Sequence, residues 1–454
     1  MSGQIRTAAM LAVCIALGAA PTSHAQQPEV MQAGYGPRST PLDTLRLTES
    51  VAAAREANPS VQAARLRAEA DRERISPAGA LPDPVLELGL LNRPLNDFGT
   101  DERMTMNLVG LKQSFPWPGN QGFSKQAGEH LARAAELEAA EVEAQIVART
   151  RAMHARLGYL DRAIAITSDT RQLLRDFLEV AEAKYASGAG IQQDLLQAQV
   201  AVGRTTADLV ALEQERIAAM ARLNALMGRP ADEPIPAVNM PAPGGKLPPL
   251  DSLAALARYG RPAVAAAHER ARAAEASYRA AGRAGYPDFE LRVAWGQRPQ
   301  YTDMGSIALG VSLPVWGGSK DAPLERAAAA EQAESDARAL ELYFDTYARL
   351  GELRAADERA RTLDGIYRVQ ILPQAEAAVE SALSAYQVGA VDYATLLEAR
   401  LTVNRFLVDS VRLTAERLQA RAEIEALVGV SSTEGLATSD TEEWTHDLDT
   451  GGDR

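Results

Sequence analysis

The side chains that most often do chemistry in proteins are scattered in this sequence. His130, His154, His268 and His446 stand far apart, without the spacing by which two histidines hold a metal ion. They are predicted to be surface residues of helices or of the C-terminal tail. No serine lies in a nucleophile-elbow sequence, and Gly-Ala-Gly at 188–190 lacks the lysine of a phosphate loop. The sequence therefore predicts no catalytic residue, no metal site and no cofactor, and a protein that is not an enzyme.

Long helices are the elements that this composition favours. The chain has 454 residues, a net charge of −13 and only 5% aromatic residues, and alanine dominates many segments. A balance this acidic makes nucleic acid an unfavourable partner. Alanine-rich segments suit closely packed helices more than a compact enzyme core.

The N-terminus resembles an export signal. Residues 1–25 contain Arg6, a short apolar run and the small-residue cleavage site Ser23-His24-Ala25, which is typical of a secretory signal peptide. The run is short for a membrane anchor, which is the alternative. Cys14 is the only cysteine; we expect its removal with the signal peptide, and lipid attachment is the alternative. Residues 26–42 are predicted to be an extended segment.

Two halves of the chain repeat each other. Residues 185–228 and 386–429 align without a gap, with about 18 identities over 44 positions. Both copies carry heptads of apolar residues, with Arg216 and Arg417 at the same position of the seam, and heptads predict coiled-coil packing. The first repeat is assigned to 43–228 and the second to 251–429. A proline-rich linker is predicted over 229–250, and a disordered acidic tail over 430–454.

Each half is predicted to contain a helix, two strands, a very long helix, a turn and a second long helix. The segments at about 120–187 and 319–388 are helical throughout by pattern, and each would be roughly 100 Å long at the rise of an α-helix. Pro373 interrupts only the second, where it is expected to remove a hydrogen bond and kink the helix. Helices of this length suit a structure that bridges two membranes.

Four short segments alternate between apolar and polar residues, as half-buried strands do. They are 85–91, 103–111, 289–296 and 306–313. In the second of them, Met104, Met106 and Leu108 are predicted to share the apolar face. Lipid contact is therefore expected for the two methionines in preference to copper binding. Surface hairpins are the alternative for any one pair of strands.

A membrane sheet of four strands has to be completed by other chains. Lipid offers no hydrogen bonds to an open sheet edge, so four strands cannot stand alone there. Eight strands close around a filled interior, whereas twelve strands from three chains would leave a pore. The sequence thus favours a trimer.

The turn at 185–199 resembles the TolC-type outer-membrane efflux proteins. The pattern Y-x-x-G-x-x-x-x-x-D-L-L-x-A-Q is carried by Tyr185, Gly188, Asp194, Leu195, Leu196, Ala198 and Gln199, and the resemblance covers about 43–429. "LPDPVLELG" and "FPWPG" resemble the heavy-metal (CzcC-like) branch more than the drug-exporting branch. The resemblance implies a mainly α fold with transmembrane β-strands. In it, a trimeric 12-stranded β-barrel continues into a long periplasmic α-helical barrel.

The function implied by this resemblance is that of a passive conduit in the outer membrane, reaching into the periplasm. It would be the outer component of a tripartite efflux pump, with a periplasmic adaptor (membrane fusion) protein and an inner-membrane pump of the RND type. Heavy-metal cations are the cargo that the branch suggests. Organic drugs, type I secretion and a non-pore periplasmic coiled-coil scaffold are the alternatives.

The resemblance also implies roles for the two hairpin turns. Adaptor contact is expected at Ser187, Gly188, Ala189, Gly190, Val388, Gly389, Ala390 and Val391. Asp194 matches the acidic position of the family's first turn, whereas Thr395 replaces it in the second copy and Asp392 lies one turn earlier. In a trimer each aspartate would form a ring that attracts cations, which is a gating or selectivity role. An aspartate stabilised at a helix start is the alternative.

Overall fold

Two series of helices and strands in the same order make up the described part of this chain. The computed structural model describes residues 44–93, 99, 102–188 and 190–430. The predicted signal peptide, the segment 26–42, Ala189 and the tail after Val430 therefore lie outside the described residues. The predicted fold class, mainly α with two strand–strand–helix–helix halves, is confirmed.

The first half begins with short helices that lean on one long helix. Its elements are α1 (Leu47–Ala57), α2 (Pro59–Glu73), α3 (Ile75–Ala78), β1 (Val85–Leu91), β2 (Met106–Phe115), α4 (Asn120–Ala186) and α5 (Gln192–Leu226). Asn58 explains why α2 starts where it does: its side-chain oxygen accepts a hydrogen bond from the Ser60 amide at 2.9 Å. Its amide nitrogen donates to the Leu226 carbonyl at 2.9 Å, which ties this helix start to the end of α5.

The second half repeats this order with one difference in its long helix. Its elements are α6 (Leu250–Gly260), α7 (Pro262–Ala281), β3 (Phe289–Gln297), β4 (Met304–Val311), α8 (Asp321–Ile366), α9 (Leu372–Gln387) and α10 (Tyr393–Val428). A π-helical turn at Tyr367–Ile371 separates α8 from α9, just before Pro373. Proline lacks an amide hydrogen and its ring crowds the carbonyl four residues earlier, so the hydrogen-bond ladder shifts to a wider turn here. The helical segment predicted over 319–388 is therefore interrupted beside Pro373, whereas α4 is unbroken over its 67 residues.

All four strands form one antiparallel sheet in the order β1-β2-β3-β4. The register aligns Leu86, Leu111, Val293 and Ile307 in one row across the sheet. Their exposures are 63%, 52%, 47% and 78%, so no element among the described residues covers this apolar face. The opposite face carries the neighbouring row Glu87, Gly110, Ala294 and Ser306.

The predicted second strand is wrong in its bounds and in its faces. The strand was expected at 103–111 with Met106 and Leu108 on the apolar side, but β2 runs from Met106 to Phe115 and presents Val109 and Leu111 there. Leu108 is 8% exposed on the opposite face, where Met106 packs over Gly296. Both parities of this segment contain apolar residues, so only pairing with β1 and β3 selects the face.

The core lies where the long helices meet the linker. Leu157, Leu160 and Leu223 are fully buried there, together with Ile235 and Val238 from the linker. The predicted linker is extended, and Leu45 forms a parallel bridge with Val238. Among the described residues, no helix has both the length and the hydropathy needed to cross a bilayer.

Candidate functional site

The two hairpin turns have matching backbones because each needs a left-handed residue. Gly188 and Gly389 both have φ of 74°, which side chains with a Cβ rarely adopt. In the first turn the Gly188 amide donates to the Tyr185 carbonyl at 3.0 Å, and in the second the Gly389 amide donates to the Tyr386 carbonyl at 3.2 Å. These bonds end the long helices and release the chain into the turn.

Most of the predicted adaptor-contact residues are accessible in this chain. Ser187, Gly188, Gly389 and Ala390 are exposed, and Val388 is 80% exposed, whereas Gly190 and Val391 are half-buried. Ala189 lies outside the described residues. An exposed valine at a turn is an apolar contact available to a partner. Adaptor contact stays a prediction.

An aromatic and cationic contact, which the sequence patterns did not predict, joins the two hairpins. The Lys184 ammonium lies 4.0 Å from the centre of the Tyr386 ring, within the range of a cation–π interaction. The Tyr386 ring meets the Tyr393 ring edge-on at 5.7 Å. Tyr393 is 1% exposed, its hydroxyl has no hydrogen-bond partner among the described residues, and burial raises its pKa to about 12. One sequence feature could have indicated this contact: Tyr393 occupies the position that Gln192 holds in the first copy.

The two predicted gate aspartates lie in different environments. Asp194 is half-buried in the first turn of α5. Burial raises the pKa of its carboxyl; the negative charge of Asp392 also raises this pKa, and Lys184 opposes the shift. This effect of Asp392 on Asp194 means that the two carboxylates lie in one neighbourhood, although they start different helices.

Asp392 caps the start of α10. One of its carboxylate oxygens accepts a hydrogen bond from the Thr395 amide at 3.0 Å and a second from the Thr395 hydroxyl. These hydrogen bonds lower the pKa of the exposed carboxyl. The residue that replaces the family aspartate, Thr395, therefore orients the aspartate that precedes it. In the first copy Ile191 holds the corresponding position and has no side-chain cap. The gating roles of both aspartates stay predictions.

A groove of about 600 Å³ lies between α5 and α10, close to the first turn. It is bordered by Leu196 and Val200, which are 51% and 54% exposed, by glutamines of α5 and by Leu397 and Leu401 of α10. Amide and apolar groups together suit another helix better than a small charged ligand.

The prediction that His154 lies on the surface is wrong. His154 is 1% exposed, with Nδ1 3.3 Å from the Ser50 hydroxyl and Nε2 3.3 Å from the Asn239 carbonyl. Burial lowers its pKa, which favours the neutral ring. α1 and the linker cover α4 from two sides here, and no local pattern reveals that cover. His130 is half-buried beside Glu269, with 2.6 Å between Nδ1 and the carboxylate. Within the described ranges, no three His, Cys, Asp or Glu side chains converge as metal ligands.

A long helical hairpin that occurs twice beside one short antiparallel sheet defines the class of this protein. Residues 51–229 match the family model described as outer membrane efflux protein. This match and the turn motif both indicate an efflux channel protein of the outer membrane. Members of this class are channels, not enzymes.

Individual relatives agree with this class. The pyoverdine export outer membrane protein OpmQ of Pseudomonas aeruginosa is 27% identical over 404 residues, which is 81% of each chain. Three solved structures share the fold: CusC (TM-score 0.75, 16% identity, 87% of this chain and 95% of that chain), VceC of Vibrio cholerae (0.72, 19%, 85% and 96%) and the open state of MtrE of Neisseria gonorrhoeae (0.72, 18%, 85% and 89%).

Proposed function

We propose that three copies of this chain form a passive conduit and serve as the outer component of a tripartite efflux pump. The observation that carries this proposal is the open sheet. Within the described part of the chain, β1 and β4 each have one unpaired edge, and the face bearing Leu86, Leu111 and Ile307 is apolar and exposed. In lipid, unpaired edges are costly, so the sheet needs further strands on both sides.

Copies of the chain can supply those strands and keep every neighbouring pair of strands antiparallel. Each neighbouring pair in the sheet is antiparallel, so β1 and β4 run in opposite directions. β4 of one copy beside β1 of the next would therefore continue the antiparallel pattern. Three copies would give twelve strands, which leave an open interior.

Single cysteines along β1 and β4 test this arrangement. The only native cysteine, Cys14, lies in the predicted signal peptide. A β1 cysteine combined with a β4 cysteine should give covalent trimers under oxidising conditions, whereas paired cysteines on β2 and β3 should crosslink only within one chain. Dimers without trimers, or no crosslink for any β1–β4 pair, would contradict the three-copy ring.

The turns are the proposed contact with a periplasmic adaptor protein, which links the conduit to an inner-membrane pump of the RND type. Exposed Val388 offers apolar contact, and Gly188 and Gly389 let a partner backbone approach closely. The groove beside Leu196 continues this surface along α5. Gly389→Ala should weaken adaptor capture by the purified channel, and the matched exposed variant Ser384→Ala, one turn before the hairpin turn, should not. Equal capture by both variants would refute the contact.

Heavy-metal cations are the cargo that we propose, since acidic turns would favour cations. On the polar face of the sheet, Arg292 pairs with Glu87 at 2.5 Å and Lys112 pairs with Glu290 at 2.8 Å, so these charges compensate each other. Selection of cations by charge therefore depends on the aspartates of the turns. An organic chelator or drug is the second candidate, because the relative OpmQ is named for pyoverdine export. Deletion of the chain, followed by parallel tests with metal ions and organic antibiotics, separates the two. Sensitivity to antibiotics alone would refute the metal assignment.

The proposed gate function of Asp392 requires separating its charge from its capping role. Serine also caps helices, so Asp392→Ser removes the charge and keeps the cap, whereas Asp392→Ala removes both and costs about 1 kcal/mol of helix stability. Both variants should lower the cation preference of the channel in planar bilayers. If only Asp392→Ala changes the conductance, the cap matters and the charge does not.

A further inference from the structure

An aromatic platform lies where the strands turn into the helices. The Trp117 ring stacks on Tyr286 at 5.1 Å and on Phe289 at 5.9 Å, with interplanar angles of 22° in both cases. The Trp117 amide donates to the Asp288 carboxylate at 2.8 Å, which fixes the short segment between β2 and α4. The three rings of the platform are therefore fixed relative to one another.

The platform continues the apolar face of the sheet. Phe289 pairs with Phe115 on one side and Val311 on the other, and it alternates with Glu290 on the opposite face. Beyond the end of β4, Leu313, Val315 and Trp316 are 70%, 71% and 74% exposed. Aromatic side chains at such a boundary mark the level of lipid headgroups.

Arg283 adds a positive charge at this level. Its guanidinium carbon lies 5.6 Å from the centre of the Tyr286 ring and 5.9 Å from that of Phe123. None of the described carboxylates lies within ion-pairing distance of it. By contrast, Arg279, one turn earlier in α7, pairs with Glu275 at 2.5 Å. A half-buried guanidinium that rests on rings keeps its planar donors free for an oxyanion.

We propose that Arg283, which lies over the Tyr286 ring at the edge of the platform, binds the phosphodiester headgroup of a glycerophospholipid in the periplasmic leaflet of the outer membrane. The acyl chains of this lipid lie along the apolar face of the sheet. The proposal rests on the proposed function, because it places the strand–helix junction at the periplasmic boundary of the membrane. The ligand class follows from the pairing of one phosphate-binding cation with adjoining apolar surface.

The second half supplies one such site and the first half does not. Pro82-Asp83 corresponds to Pro287-Asp288, so the position of Arg283 is Ala78 in the first half. The position of Tyr286 is Leu81, which has no aromatic face. A trimer should therefore hold three lipids of this kind.

Native mass spectrometry of the purified full-length channel tests the site with phosphatidylglycerol as the probe. The wild type should retain up to three lipids per trimer, and Arg283→Gln should weaken retention by at least about tenfold, equivalent to about 1.4 kcal/mol. Arg279→Gln is the matched control and should bind like the wild type. Arg283→Lys should be intermediate, because lysine keeps the charge but not the planar stack.

Two further arms separate the outcomes. Inorganic phosphate should not displace the lipid, and diacylglycerol, which has the chains without the phosphate, should not replace it. Equal lipid retention by Arg283→Gln and wild type, or equal loss in Arg279→Gln, would overturn the site. Planar-bilayer conductance of the same samples tests the conduit separately: Arg283→Gln should still insert and conduct, whereas a wild-type chain that never conducts would contradict the proposed function.

Discussion

At the residue scale, two aspartates with the same charge have opposite pKa shifts. Asp194 is half-buried and faces the charge of Asp392, so its pKa is raised. Asp392 is exposed and accepts hydrogen bonds from Thr395, so its pKa is lowered. On acidification, Asp194 therefore becomes neutral first and Asp392 keeps its charge to lower pH.

The stability contributions of these groups have opposite signs with pH. The raised pKa of Asp194 means that the folded state binds its proton more tightly than the unfolded state, so acidification through that pKa relieves a destabilising charge. The contribution of Asp392 is present above its unfolded pKa and is lost as pH falls through its lower folded pKa. As the pH falls, the carboxyl of Asp194 therefore loses its charge at a higher pH than the carboxyl of Asp392 does.

This difference predicts a stepwise pH response of the channel. In planar bilayers, the cation preference of the wild type should fall in two steps on acidification, and the step at higher pH should belong to Asp194. Asp194→Asn should remove that step and leave the step at lower pH. A variant that retains both steps would show that Asp194 does not face the permeating ions.

At the scale of elements, the sheet has two faces that differ from one residue to the next. Ile307 and Ser306 are neighbours on β4, both exposed, but Ile307 belongs to the apolar row and Ser306 to the row with Glu87. Cross-strand pairing decides this division, and it gives β2 its apolar residues Val109 and Leu111.

The two faces predict different responses to the same substitution. Ile307→Arg should destabilise the inserted channel by about 2–4 kcal/mol if it lies near the bilayer midplane. Ser306→Arg should be much milder, because it adds a charge to the polar face. Urea-induced unfolding from lipid vesicles measures both free energies. A larger loss for Ser306→Arg would reverse the assignment of the faces.

At the scale of the whole molecule, the linker is held against both hairpins by related ion pairs. Arg216 pairs with Asp161 and also donates to the Ile235 carbonyl at 3.2 Å. The second copy strengthens this arrangement: Arg417 donates to the Gly244 carbonyl at 2.9 Å, and Arg421 donates to Asp357 at 2.8 Å. The residue pair noted in both heptad seams thus holds the segment that connects the halves.

Breaking the ion pairs of Asp357 with Arg417 and Arg421 should reduce stability more than breaking the pair of Arg216 with Asp161. Asp357 is 1% exposed and Arg421 3% exposed, so Asp357→Asn would leave two buried guanidinium groups without a compensating charge. We expect a loss of about 3–5 kcal/mol. Asp161→Asn is the matched variant, and its loss should be smaller because that pair is more exposed. Thermal unfolding in detergent compares them, and equal losses would contradict the ranking.

The order of elements and the duplication could be read from the sequence, because heptads, capping residues and alternation act over a few neighbouring positions. This local information located the turns at Gly188 and Gly389, the strand at 85–91 and the long helix from 120. It did not determine which face of β2 meets lipid, since both parities of that segment are apolar. Pairing with β1 and β3 decided it.

Contacts between distant segments were decided only by the tertiary structure. Lys184 meets Tyr386, His154 is buried under α1 and the linker, and Arg283 lies over the Phe123 ring, although the partners are far apart in the chain. A side chain's neighbours, and therefore its burial and pKa, depend on how whole helices pack. The sequence determined the elements through short-range periodicity, and packing between them determined the environments in which the aspartates and arginines act.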